Sequence, residues 1–340
     1  MTSKPQVVVT HRIFQETVLL LKSVCEPVLN QTAETLPRGE LLHRTRDAAG
    51  LIAFMPDRVD AMFVANCRRL RVIAGALKGC DNFDVDARTR HGVWLTVVPD
   101  LLTVPTAELA IGLMIGLARN IREGDRRVRT GSFAGWRPEL YGTGIAGSTV
   151  GIVGMGNIGR AIARRLAGFE AKLVYSDATP LPAAEEARLG LARASLDALL
   201  RMSDFVILAV PLNSSTHHLI CDETIDLMKP GALLINPCRG SVADEMAVAV
   251  ALVDGRLGGY AADVFEFEDW ALIDRPREVT AALRAMPGET LFTPHLGSAV
   301  MAARRAIERA AAESIIAVLR GGRPAGAVNE PAIAPVPVVA

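Results

Sequence analysis

Apolar residues in the first hundred positions come in short runs separated by amphipathic stretches. QVVVT, CEPVLN, GLIAFMP, LRVIAGAL and GVWLTVV are compact and rich in branched side chains, which predicts strands. Between them HRIFQETVLLLKSV, RGELLHRTRD, VDAMFVANC and VDARTRHG place apolar residues at helical spacing. Strand and helix alternating in this order predict a parallel sheet covered by helices on both faces, and residues 1–100 form one such unit.

PTAELAIGLMIGLARNIREGDRRVRTG then predicts one long helix, opened by Pro105 after Thr103 and closed near Gly131. A second alternation starts at STVGIVGMGNIGRAIARRL. It continues through the strands AKLVYSD, FVILAVP, GALLINP and GYAADVF, with the helices SLDALLRM, DETIDLMK and EMAVAVALVDG between them. A last helix is predicted over 298–320, and the proline-rich tail PAGAVNEPAIAPVPVVA cannot extend it. The fold class expected is therefore α/β with two doubly wound parallel-sheet domains. One spans 101–299; the other, discontinuous and flavodoxin-like, takes 1–100 plus 300–340, with ligands expected in the cleft between them.

A chain of 340 residues exceeds what one core usually supports, in keeping with two domains. Its 37 basic and 37 acidic residues cancel, so no field favours nucleic acid or a membrane surface, and any anion recognition has to be local. Cys25, Cys67, Cys80, Cys221 and Cys238 are scattered with no CxxC pair, which suits a reducing compartment and suggests no metal site. The N-terminal stretch MTSKPQVVVT lacks the apolar core of a secretion signal, so the cytoplasm is the expected location. His217 and His218, after PLNSST, are read as structural, since neighbours on a strand do not face one another and no carboxylate pattern joins them.

GMGNIG, residues 154–159, directly follows the strand TVGIV and opens the helix RAIARRLAGF. Gly154 permits the tight turn, Gly156 lets backbone N–H groups approach a pyrophosphate, and Gly159 allows helix and strand to pack closely. Met155, Asn157 and Ile158 complete that turn and count among the cofactor contacts. Asp177 ends the next strand, where a carboxylate can accept hydrogen bonds from both ribose hydroxyls and would repel a 2′-phosphate. This Rossmann pattern predicts NAD as the cofactor.

Three further segments combine. NPCRGSVADE sets Arg239 just beyond a strand, AADVFEFED sets Glu268 beyond another, and LFTPHLGSA sets His295 after a short third. The carboxyl ends of parallel strands are where such sheets bind ligands. Arg239 can hold an anion in a fork, His295 can move a proton, and Glu268 beside it would fix the imidazole tautomer and raise its basicity. GALKGCDNFD adds Lys78 at the end of a first-domain strand, with Asp81 close enough in sequence to compete for its charge.

GxGxxG with its downstream acid, NxxRGxxxDE, DVFExE and TPHxGS resemble, in this order, the NAD-dependent D-2-hydroxyacid dehydrogenase family over nearly the whole chain, with Asp269 standing where that family usually has proline. The resemblance implies Arg239 as substrate anchor, Glu268 as partner carboxylate and His295 as acid/base. MPDRVD, GALKGCDNFDVDA, VPDLLTVPTAELAIGL, FAGWRP with YGTG, and GGYAADVFEFEDWA are further similar to a phosphite (phosphonate) dehydrogenase branch of it. That likeness implies oxidation of phosphite to phosphate with NAD, water adding to phosphorus as hydride leaves; the alternative is a D-2-hydroxyacid dehydrogenase or glyoxylate/hydroxypyruvate reductase.

For the substrate pocket it implies Met55, Leu77, Lys78 and Gly79, with Trp136 and Tyr141 near the active site of the same or a neighbouring subunit. Ser298 either touches the substrate or caps the last helix. For the nicotinamide end it implies Lys78, Thr106, Pro237, Cys238, Arg239, Asp263 and His295. A homodimer is the expected assembly.

Overall fold

The computed structural model describes residues 4–79, 83, 85–98 and 100–331, which divide into two compact units. The first comprises the chain through Leu102, Trp270–Ile273 and the chain from Val300; the second comprises Thr103–Asp269 and Asp274–Ala299.

In the first unit the strands are β1 (Gln6–Val9), β2 (Glu26–Leu29), β3 (Gly50–Ala53), β4 (Val72–Gly75) and β5 (Trp94–Thr96), in the spatial order β2-β1-β3-β4-β5. Every pairing is parallel, because a helix crosses back after each strand. β3 and β4 are buried on both faces, which is why GLIA and VIAG lack a polar alternation. The helix Met301–Leu319 buries Ile307, Ala311, Ile315 and Leu319 against this sheet. Gly50 makes the close approach possible: a Cβ there would stand 3.1 Å from Cδ1 of Ile315. Full burial of Ile315 is worth about 1.5–3 kcal/mol.

The second unit has β6 (Thr149–Val153), β7 (Lys172–Ser176), β8 (Leu191–Arg193), β9 (Phe205–Leu208), β10 (Ala232–Asn236), β11 (Leu257–Ala262) and β12 (Thr290–Phe292). Their order, β12-β11-β10-β9-β6-β7-β8, reverses direction at the β9/β6 boundary, the topological switch point where doubly wound sheets take nucleotides. Again all pairings are parallel. The helix Thr103–Ala118 lies on this sheet with Ala107, Ala110 and Met114 fully buried.

Three expectations change. The single helix from Pro105 to Gly131 is two helices, Thr103–Ala118 and Ile121–Arg129, bent by 65°. Asn120 adopts φ 52° at the break, a left-handed conformation that asparagine tolerates and that ends the hydrogen-bond ladder. The helix Ala183–Leu189 and the strand β8 escape the sequence pattern, since of LAR only Leu191 is buried. The last helix starts at Met301 with Val300 at its cap position and no side-chain cap, so Ser298 does not cap it. Among the described residues no single helix is long and apolar enough to cross a membrane.

Candidate active site

The glycine turn after β6 is built as its chemistry demands. Gly154 sits at φ 97°, and a Cβ there would stand 2.5 Å from the Ala209 carbonyl oxygen, so only glycine fits. A Cβ on Gly159 would meet the Gly154 carbonyl oxygen at 2.1 Å, which shows how tightly the helix Asn157–Leu166 is drawn onto its strand. A Cβ on Gly156 would meet nothing within 4 Å, and Gly156 and Asn157 are exposed. Open space over a helix N-terminus whose first N–H groups lack helical partners is a cradle for a pyrophosphate. Ile158 packs on the core beneath it.

Asp177, at the tip of β7, is bound into the same turn. Its Oδ2 accepts the Met155 N–H at 2.6 Å and its Oδ1 the Thr179 N–H at 2.8 Å. Met155 therefore serves the acid: its amide is committed to Asp177 and its side chain is buried in the core. Each carboxylate oxygen keeps further lone pairs for ribose hydroxyls. The residues present thus fit an NAD molecule from phosphate to adenosine ribose.

Toward the other end of the sheet, His295 and Glu268 meet. Nδ1 of His295 lies 2.8 Å from Oε2 of Glu268, whose Oε1 accepts the Phe265 N–H at 3.0 Å. An ionised carboxylate can only accept, so Nδ1 carries the hydrogen and Nε2 is left for chemistry. His295 itself holds a left-handed backbone at φ 55°. Asp263 enforces it: its carbonyl accepts the His295 N–H at 2.8 Å, and its carboxylate accepts the Thr293 hydroxyl at 2.6 Å and the N–H groups of Leu296 and Gly297 at 2.6 and 2.8 Å. Burial pushes the Asp263 carboxyl above the usual range, and those hydrogen bonds pull it back. A Cβ on Gly297 would lie 3.1 Å from Oγ1 of Thr106 and 3.2 Å from Oδ2 of Asp263, so these three residues adjoin under the histidine.

Arg239 follows β10 on the turn Pro237–Arg239. The fully buried Asn236, a residue whose role the motif did not disclose, staples that turn: its Oδ1 accepts the Cys238 N–H and its Nδ2 donates to the Arg239 carbonyl at 2.8 Å. The Arg239 Nη1 donates to the Cys238 carbonyl at 2.8 Å. Burial pushes the thiols of Cys238, Cys25 and Cys67 up to about 11. At pH 8 only about one such thiol in a thousand is ionised, so iodoacetamide should label the partly exposed Cys221 before these three and spare them until the protein unfolds. Peptide mapping by mass spectrometry checks this, and early labelling of Cys238 would contradict it.

In the first unit, Lys78 stands three residues beyond β4, half-buried. Desolvation lowers its pKa, and the Asp100 carboxylate works the other way. Asp81, its anticipated competitor, lies outside the described residues. Leu77 buries its side chain in the apolar cluster against which Met55 packs, and its carbonyl accepts the Val98 N–H at 3.0 Å, while Gly79 is half-buried. The turn carrying Met55 is held by the buried Asp57, whose carboxylate accepts the Phe54 N–H at 2.7 Å and the Thr10 hydroxyl. Trp136 and Tyr141, at 79% and 78% exposure, keep their rings in solvent. Ser298 lies in the turn just after the His295 segment.

His217 and His218 are not on a strand. They end the turn after Asn213 and their rings stack at 4.0 Å, with His218 at φ 49°. His218 sits 3.7 Å from Asp244 and 3.5 Å from Glu266. Among the described residues no cluster of three or more His, Cys, Asp or Glu could hold a metal ion.

Comparison with known proteins points one way. Residues 111–297 match the model of the D-isomer specific 2-hydroxyacid dehydrogenase NAD binding domain. A glyoxylate reductase of Pyrococcus furiosus is 37% identical over 335 residues, covering 97% of both chains, and one of Thermococcus litoralis is 36% identical over 332 residues, covering 96% of this chain and 97% of that one. A crystal structure of a Thermus thermophilus protein superposes with a TM-score of 0.87 at 35% identity, covering 95% of this chain and all of that one.

Proposed function

The chain belongs to the D-isomer specific 2-hydroxyacid dehydrogenase family, and on that premise we propose that it interconverts a small 2-oxoacid such as glyoxylate and its 2-hydroxyacid. The observation that carries this reading is the Glu268–His295 pair at 2.8 Å, behind a complete dinucleotide-binding turn. NAD, when bound, accepts or supplies the hydride at its nicotinamide ring. Everything else falls to side chains of this protein. Arg239 holds the substrate carboxylate in its fork. His295, with Nδ1–H fixed on Glu268, delivers a proton from Nε2 to the carbonyl oxygen as it gains charge, or withdraws it in the oxidative direction. The Glu268 carboxylate offsets the charge of the imidazolium. Asp177 selects NAD over NADP by repelling a 2′-phosphate.

Phosphite oxidation is the second reading. The relatives are named for glyoxylate reduction and favour the oxoacid, but one observation favours phosphite. Lys78 is a half-buried cation whose charge the Asp100 carboxylate compensates in part, and a doubly charged anion would add to that compensation. In that reaction His295 would take the proton from water adding to phosphorus as the P–H hydride departs, and Arg239 with Lys78 would balance the charge. Met55, Leu77, Gly79 and Ser298 complete the proposed substrate contacts, and Thr106, Pro237, Cys238 and Asp263 the nicotinamide contacts.

One spectrophotometric comparison separates the readings: NADH consumption with glyoxylate or hydroxypyruvate, against NADH formation with phosphite. Whichever anion is turned over, Lys78→Ala should raise its KM about tenfold or more, the worth of a hydrogen bond to a charged group; an unchanged KM removes Lys78 from the site. The same reading places the protein in the cytoplasm and includes a homodimer; the exposed apolar side chains Ile121, Val128, Phe133, Trp136 and Tyr141 on one stretch of the second unit support the pairing.

A further inference from the structure

We propose that Asp269 is a positioning residue that sets the Arg239 turn against the Glu268–His295 pair, and so controls affinity for the anionic substrate. The inference rests on Arg239 being the anion anchor. Its observations are independent of which anion that is.

A single short turn, Glu266–Glu268 and its neighbour Asp269, carries three carboxylates that reach in three directions. Glu268 reaches His295. Glu266 and Glu245 make a reciprocal clasp: Oε1 of Glu266 accepts the Glu245 N–H at 2.8 Å and Oε1 of Glu245 accepts the Glu266 N–H at 2.8 Å. Oδ2 of Asp269, a side chain only 3% exposed, accepts the Ser241 N–H at 2.7 Å. Ser241 is two residues beyond Arg239, in the tight turn Gly240–Val242 for which Arg239 is the N-cap.

The two turns touch backbone to backbone. A Cβ on Gly240 would stand 1.9 Å from the Phe265 carbonyl carbon and 2.1 Å from the Glu266 nitrogen. At such an approach the sideways position of the Arg239 turn is set by what pins its N–H groups, and Asp269 pins the one at Ser241. Asp269 also donates its own N–H to the Glu266 carbonyl at 3.1 Å. A proline at 269, with neither a carboxylate nor an N–H, would make neither bond. A buried hydrogen bond of this kind orients the peptide it holds, and the orientation of the Arg239 turn decides where its guanidinium fork points.

The test compares Asp269→Ala with Asp269→Asn, whose side-chain oxygen can still accept from Ser241. Asp269→Ala should raise the KM for the anion turned over, glyoxylate or phosphite, by about tenfold, with the affinity for NADH held within about twofold. Asp269→Asn should restore most of the loss. A KM unchanged in Asp269→Ala, or affinities for substrate and NADH that fall together, would overturn the proposal. Were the wild-type protein to turn over neither anion, the functional reading would fail separately. Oxalate binding to the NADH complexes of the same variants, read by NADH fluorescence, would then show the tenfold loss and its rescue, or their absence.

Discussion

His295→Asn should lower kcat by about 10²–10⁴-fold, the usual contribution of a positioned acid/base, or about 3–5 kcal/mol of barrier. Asparagine is the informative substitution here because the histidine backbone is left-handed at φ 55°, which asparagine tolerates better than alanine does. The Asp263 lattice that accepts the N–H groups of residues 295, 296 and 297 should survive, so NADH affinity and melting temperature should hardly move. What disappears is the nitrogen proposed to move the proton. Glu268→Gln should fall between wild type and this variant, since the amide oxygen can still accept from Nδ1–H but carries no charge to offset the imidazolium. A His295→Asn enzyme with near wild-type turnover would show that the proton moves elsewhere.

Arg239→Lys should cost about 10²–10³-fold in kcat/KM, in the range seen when one charge-stabilising donor is removed from an active site. Lysine keeps the charge and loses the fork. An ammonium cannot make two parallel bonds to a carboxylate or phosphite oxygen pair, so the substitution is not conservative at this position. Because Asn236 holds the turn through the Arg239 carbonyl and the Cys238 N–H, the backbone should stay in place in this variant. The measurement is a pair of constants: KM for the anion should rise steeply while the dissociation constant for NADH stays put. Equal loss of both would mean that the arginine serves the fold of the turn and not the anion.

Much of this architecture could be read from the chain because parallel strands buried on both faces have to be continuous apolar runs. GLIA, VIAG, FVIL and ALLIN announce themselves, whereas LAR, with one buried residue, does not. The break at Asn120 was hidden for the opposite reason. IREGDRRVR continues a plausible helix, and only the left-handed asparagine before it turns the axis. The glycine turn was legible because its steric demands are local: Gly154 and Gly159 are excluded from bearing a Cβ by atoms a few residues away in sequence or on the adjoining strand.

Local periodicity and the position of residues at strand ends are properties of the sequence alone, and they determined two parallel sheets, a dinucleotide turn with its acid, and Arg239, Glu268 and His295 as chemistry-bearing candidates. Contacts between distant segments are not such properties. That Glu268 and His295, 27 positions apart, share a hydrogen bond was decided in three dimensions. So was the binding of four groups of the histidine segment by Asp263, and the burial of Asp269 against the Ser241 amide. Spacing along a strand places a side chain at the edge of a sheet; its partner depends on how neighbouring loops pack once the strands have found their order, and only the folded chain settles that.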